Sequence, residues 1–441
     1  MGEKIEGREG FAGGNRPSGG ASKPGYFEIL GGFSRNAKLF IVHFMMMAFR
    51  FGMYGGIFNL YLLALGFSPA FVGTRIFIMW GSIALGSVFM GRVVDRIGRR
   101  VSFIFSDGMG AILVFFMVAF PTAEALITLS VISGFIDGLH WSSEAPWIME
   151  NSEERERVYL FSVTQGMGRI AMMVGQGLPF LFVGNLPNVS IPTYRIFLYI
   201  GLVIWMLSLV PAFMFREKKE ILDTLRSASK TSGWLFSFNN VESWSFIKKM
   251  VPIYALMWLG IGLVHPLHTV FFVNKLDAAP MTASLILALG GISMSFGSFV
   301  IPIVAERIGR VRTIGYTMLI SIPFTFGVGV APVLIYAAMF FFLHELTIHV
   351  SEPIIKTFYT ESVQTKERGT VAGMMTAAHT FSLGLGSFVT GRMMDSNYYV
   401  HTYLIMAVIF AAAALIFLNV FRLKEKEAAR EAELELATQA K

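Results

Sequence analysis

Twelve apolar runs, each about long enough to cross a bilayer, constrain this chain more than any other feature. They fall at about residues 39–64, 70–91, 101–120, 124–149, 160–184, 195–215, 248–273, 281–304, 312–330, 332–357, 370–391 and 400–421. A helix crossing the hydrocarbon needs about 20 mostly apolar residues, because backbone groups there find no water and must bond within the segment. The pattern therefore predicts an all-α polytopic membrane protein with twelve transmembrane helices. Composition agrees: 54% of the 441 residues are hydrophobic and 15% charged, against about 25% charged in soluble domains. A soluble enzyme is excluded on that ground. The 44 glycines follow no three-residue period, which excludes a collagen-like chain.

The spans group as six and six. Residues 1–35 read as a disordered N-tail, in which Ile5-Glu6-Gly7-Arg8 resembles a protease site used in expression work and the Gly/Ser stretch from Gly13 to Ser22 reads as linker. Residues 36–215 hold the first bundle and 216–245 a polar linker, whose Trp and Phe among polar residues suit an interfacial helix. Residues 246–421 hold the second bundle and 422–441 a C-tail read as a solvated helix. Of the 36 Lys and Arg, 29 lie on the side of both termini and only Arg195, Lys275 and Arg392 on the other. By the positive-inside bias both termini are expected in the cytoplasm, with the chain in a plasma (inner) membrane. The net charge of +7 is scattered through these loops, so no face is built for nucleic acid. With no cysteine, disulfides and thiolate metal sites are excluded.

An internal repeat supports two matched halves. Asp95-Arg96-Ile97-Gly98-Arg99 follows span 2, and Glu306-Arg307-Ile308-Gly309-Arg310 follows span 8, 211 residues later. The same offset relates Glu150 and Arg157, after span 4, to Glu361 and Arg368, after span 10. Two separate loop motifs at one offset indicate duplication, and a pseudo-symmetric pair of bundles encloses a central cavity between its halves.

The run Gly91-Arg92-Val93-Val94-Asp95-Arg96-Ile97-Gly98-Arg99-Arg100 resembles the G-x-x-x-D-R-x-G-R-R signature between helices 2 and 3 of the major facilitator superfamily. In the second-half copy Pro302 replaces the leading Gly. Glu150–Arg157 and Glu361–Arg368 resemble the acidic–basic pairs of sugar porters, but the deeper Gln and Trp positions of those proteins are missing. Gly166, Gly168, Gly175, Gly177 and Pro179 partly resemble the Gly/Pro-rich signature of drug antiporters. The resemblance, over residues 36–421, implies a secondary transporter working by rocker-switch alternating access, with spans 1, 4, 7 and 10 lining the pathway. Gly91, Asp95, Arg96, Gly98, Arg99, Glu150, Arg157, Glu306, Arg307, Glu361 and Arg368 are then expected to form its cytoplasmic gate. A carboxylate such as Asp95 can accept from Arg side chains and from a neighbouring helix N-terminus, contacts that would bias one state of the gate.

Charges inside hydrocarbon are costly and tend to be functional. In span 4, Asp137, His140 and Glu144 share one helical face; in span 10, Glu345, His349 and Glu352 do. Together with Arg50 these seven are the expected substrate and proton pathway. Asp137 is the expected partner of Arg50, with an anionic substrate as the rival. Three readings of the group stand open: a proton or substrate site, a transition-metal cargo bound by His349, Glu345 and His140, and a buried network that braces the helices. His344-Glu345-Leu346-Thr347-Ile348-His349 is one residue too long for a zinc-peptidase motif. No phosphate-binding loop is present, so ATP-driven transport is not expected. The expectation is thus a non-enzymatic, monomeric, proton-coupled transporter, read as an exporter or antiporter, of a small organic or amphipathic solute, with no cofactor and no resident metal. Its partners are the solute, protons and the lipid bilayer. Transport of a transition metal or other cation, and a channel or lipid scramblase, are the alternatives.

Overall fold

The computed structural model describes residues 26–184, 189–217, 223, 242–364 and 367–439, and among these it contains helices and no strand. After a short helix at Tyr26–Gly32, in the segment read as N-tail, the first half runs Arg35–Ala64 (α1), Pro69–Ile97 (α2), Arg99–Ala119 (α3), Ala123–Glu150 (α4), Glu154–Val183 (α5) and Ile191–Leu207 with Leu209–Phe213 (α6). The second half runs Trp244–Gly262 with His268–Leu276 (α7), Pro280–Ile308 (α8), Arg310–Val330 (α9), Leu334–Ile348 with Glu352–Glu361 (α10), Arg368–Asp395 (α11) and Tyr399–Gln439 (α12). Eleven of these twelve are long and apolar enough to cross a membrane. The remaining one, α11, packs between α2 and α7, which shields its polar residues from lipid. Most of the linker expected to hold an interfacial helix lies outside the described residues.

Local chemistry sets the helix starts. Ser34, Ser68, Thr122 and Ser190 each accept a hydrogen bond from the backbone N–H three residues on, and Pro69 and Pro192 occupy first-turn positions where no N–H is needed. Between α2 and α3 the chain turns at Gly98, φ 96°, and between α8 and α9 at Gly309, φ 90°. An L side chain disfavours that region, so the repeated Gly gives both halves the same sharp break.

An even number of spans returns both ends of the chain to one side, here called the terminal face; the other is the far face. The halves meet along two seams, α2 against α11 and α5 against α8. On the first, a Cβ on Gly73 would lie 2.6 Å from Ser387 O, and one on Gly391 2.8 Å from Pro69 O, so the far-face ends touch backbone to backbone. On the second, Gly166 faces Phe299 and Gly177 faces Ala288, while the Tyr159 hydroxyl donates to Glu306 Oε1 at 3.1 Å near the terminal face. The span-5 glycines are thus accounted for by close packing. Outward-facing apolar groups such as Leu181, Phe182, Phe296 and Val408 are two-thirds or more exposed, a surface suited to lipid.

Two spans are broken at one level. Pro266 cannot donate to the helical ladder, and α7 passes through a 3-10 turn at His265–Leu267. Residues 349–351 leave α10 non-helical ahead of Pro353. The carbonyls freed in α7 are taken up by neighbours: Asn59 donates to Pro266 O at 2.8 Å, Ser387 to Gly262 O at 3.4 Å, and Thr390 to Leu263 O.

Candidate functional site

Within the interior the ionisable side chains form three groups. The first crosses between halves. Arg169 on α5 donates to Glu352 Oε2 on α10 at 3.0 Å, Lys356 lies 3.4 Å from Glu352 Oε1, and the same ammonium donates to Glu144 Oε1 on α4 at 3.2 Å. Gln165 Nε2 adds a contact to Glu144 at 3.5 Å. Two cations alternate with two carboxylates, each side chain less than one-fifth exposed, and the chain of charges leaves the first half, enters the second and returns. A small cavity beside it is lined by Trp141, Glu144, Tyr254, Lys356, Tyr359 and His379. The His379 ring lies 3.6 Å from that of Trp258 and about one ring-width from Trp80, Trp141 and Tyr254, so aromatic faces from both halves surround it.

The second group lies inside the first half. Asp107 on α3 accepts from His140 Nδ1 at 3.0 Å and faces His43 Nε2 at 3.2 Å, while His43 Nδ1 donates to Ser208 O at 2.9 Å. All three side chains are buried; both rings pack on Phe103, and His43 also meets Phe40 and Phe215.

The third lies inside the second half, at the level of the two broken spans. His265 and His268 from α7 and His344, Glu345 and His349 from α10 converge, and Glu345 is common to two clusters, one with His265 and His349, the other with His268 and His344. Met172 and Gln176 of α5 border a small cavity beside His265, His268 and Glu345.

The seven expected pathway residues are therefore divided. Glu144 and Glu352 join the seam network; Glu345 and His349 join the third group. His140 belongs with Asp107, so the alternative metal-cargo set of His349, Glu345 and His140 is not brought together. Arg50 corrects a further expectation: its guanidinium lies over the Trp205 ring at 3.6 Å and over the Phe51 ring at 4.0 Å, and no ion pair joins it to Asp137 among the described residues. A planar, weakly hydrated cation is compensated by two ring faces, while Asp137, followed by Asp107, supplies a longer-range negative field. Asp137 Oδ1 packs beside Gly110.

The structure pairs several of the loop residues. Arg99, buried, bridges Asp95 Oδ1 at 2.9 Å and Glu150 Oε1 at 3.2 Å, and the repeat-related Arg310 pairs with Glu361. These contacts tie α2, α3 and α4, and α9 and α10, within their own halves. The α3 N-terminus is capped by Glu217, which accepts from Arg99 N at 2.6 Å, and not by Asp95. Burial lifts the Asp95 carboxyl above its usual range, against the opposing pull of Arg99. Glu306 instead reaches across the seam to Tyr159. Arg96 and Arg307 are exposed and Gly91 faces open space. Arg157 is half-buried with its Nε unpartnered among the described residues, and the Arg368 side chain lies outside them.

A sequence model of the Major Facilitator Superfamily matches residues 39–343 and 250–440, so both halves are covered. The chain belongs to the Major Facilitator Superfamily. Its likeness to solved members is one of fold. The human organic anion transporter MFSD10 (TETRAN) is 13% identical with a TM-score of 0.64, covering 87% of this chain and 99% of that one. The nucleoside transporter NupG is 16% identical with a TM-score of 0.61, covering 88% and 99%. The E. coli fucose:proton symporter FucP is 12% identical with a TM-score of 0.61, covering 86% and 97%. No curated protein matches the sequence significantly. Within this superfamily fold, sequence reasoning missed Asp107 as the anchor of His43 and His140, and it left Arg169, Lys356 and His379 without roles. Their signal was present: Arg169 and Lys356 are cations inside apolar spans, and each required an anion.

Proposed function

We propose that this superfamily member is a secondary transporter that moves a small organic solute by alternating access, with Arg169, Glu352, Lys356 and Glu144 as the bridge between its halves. The single observation that carries this is the course of that bridge: mostly withdrawn from solvent, alternating in sign, and passing between the halves twice beside an aromatic-lined cavity. Relative motion of the halves must separate Lys356 from Glu144 or Glu352 from Arg169. A bare buried charge costs several kcal/mol, so opening requires something to replace the lost partner.

A proton on Glu144 or Glu352, or a charged group on the solute, performs that replacement, and this is how proton coupling enters the proposal. The aromatic lining favours a solute with a flat apolar part and one polar or charged end. The fold neighbours named above, an organic anion transporter, a nucleoside transporter and a fucose:proton symporter, carry cargo in the same range. The direction proposed is export, with both termini in the cytoplasm and Asp95, Glu306 and their partners on the cytoplasmic gate.

The test is a screen of organic anions, nucleosides and amphipathic amines for thermal stabilisation of the purified protein. Flux of the hits into vesicles is then measured with and without a pH gradient. Saturable flux that responds to the gradient and falls at least tenfold in Lys356→Met supports the proposal. Flux that ignores the gradient and does not saturate favours a channel.

A further inference from the structure

We propose that His268, His344 and Glu345 form a binding site for a zinc-like transition-metal dication, with His265 and His349 beside it. Four of the eight histidines in the chain meet here around one glutamate. The site does not rest on the transport reading, because it is defined by ligand chemistry inside one half.

The proton positions on the rings can be followed. Thr325 Oγ1 donates its only hydrogen to Ser321 O at 2.9 Å, so in its 2.9 Å contact with His344 it must accept from Nδ1–H. Neutral His344 is thereby fixed with its Nε2 lone pair free, 3.9 Å from Glu345 Oε1. His268 Nδ1 lies 2.9 Å from the Tyr403 hydroxyl, which sets the plane of that ring, and its Nε2 lies 3.7 Å from the same carboxylate oxygen. A hydroxyl that orients a ring and leaves the other nitrogen exposed to a shared centre is the arrangement metal-binding histidines use.

The spacing points the same way. His268 Nε2, Glu345 Oε1 and His349 Nε2 are buried and without hydrogen-bond partners among the described residues. Separations of 3.7 and 3.9 Å are too long for a direct hydrogen bond. They are also short of the roughly 4.6 Å across which one water would bridge two acceptors. Ligand atoms around a four-coordinate ion bound at about 2.1 Å lie about 3.4 Å apart, the nearer match. Imidazole nitrogens with one carboxylate suit zinc and its neighbours over calcium or magnesium. The similar triad in the first half is a poorer candidate, since Asp107 already bonds His140 at 3.0 Å and contacts His43 at 3.2 Å, closing the space an ion would fill.

The test uses the full chain, purified with a histidine-free affinity tag, stripped with a chelator and titrated with Co2+. The visible d–d bands of the bound ion report a nitrogen-containing ligand field, and Zn2+ is then used to displace it. The expected result is a saturable Co2+ spectrum that Zn2+ abolishes. Affinity should fall at least 100-fold in Glu345→Gln and in His268→Asn. It should fall about 10-fold in Thr325→Val, which keeps every ligand but frees the His344 ring. Asp107→Asn, in the other half, should bind as the parent does. Absence of the spectrum in the parent overturns the proposal, as does its loss with Asp107→Asn alone or its persistence in both Glu345→Gln and His268→Asn. Should Glu345→Gln fail to give a monodisperse protein, His268→Asn and Thr325→Val decide the matter.

Discussion

Lys356 holds two carboxylates at once, the buried Glu144 of the other half and the mostly buried Glu352 one helical turn away on its own helix. Lys356→Met should strand both, lowering stability by about 3–5 kcal/mol, the range for removal of one partner from a buried ion pair. Combining it with Glu144→Gln should recover part of that loss. Thermal unfolding of the two single variants and the double variant in detergent measures this, and a double variant destabilised by the sum of the two single effects would mean the pair is not coupled. Asp95 behaves differently because it is about one-third exposed and Arg99 keeps Glu150 as a second partner. Asp95→Asn should cost less than about 1 kcal/mol of stability and leave membrane insertion unchanged while slowing solute flux. Unchanged flux at normal expression would remove Asp95 from the gate.

Helices and their ends were the part of the molecule most legible in the sequence. The apolar runs placed the spans to within a few residues, and the D-R-x-G-R repeat placed the matched glycine breaks at Gly98 and Gly309. What pattern reading could not supply was which faces meet. Helical periodicity put Asp137, His140 and Glu144 on one face of α4, yet they serve three surroundings: the Gly110 notch, Asp107 on α3, and Lys356 across the seam. Their shared depth near mid-span offered Asp137 to Arg50, whereas Trp205, distant in sequence on α6, packs on the guanidinium. His349 was read on an unbroken helix, but α10 is interrupted there, and the break joins it to His265. At this scale the α2–α11 contact gives a further expectation. Gly391→Val inserts a side chain where a Cβ already lies 2.8 Å from Pro69 O, so the far-face ends should be held apart. Cysteine replacing Ala70 should then label faster than in the parent, without background because the chain has no cysteine of its own; an unchanged labelling rate would show that the contact does not close that face.

Across the whole molecule, duplication produces two bundles whose internal loops are latched alike, by Arg99–Glu150 in one and Arg310–Glu361 in the other. Each half is braced within itself, and the polar contacts between halves include Tyr159–Glu306, Arg169–Glu352, Lys356–Glu144, Asn59–Pro266 O and Ser284–Gly56 O. The proposed transport mechanism treats these halves as two rigid parts that move about a shared interface. The central claim is that the two faces open in alternation. Its most direct measurement is pulsed dipolar EPR in lipid nanodiscs on two spin-labelled cysteine pairs, Tyr159→Cys with Glu306→Cys at the terminal face and Ala70→Cys with Asp395→Cys at the far face. Distances are recorded with and without a transported solute and at pH 5.5 and 7.5. The account predicts opposed changes, the far-face pair short when the terminal-face pair is long and the reverse. Distances that stay fixed under every condition, or that lengthen together at both faces, would contradict it.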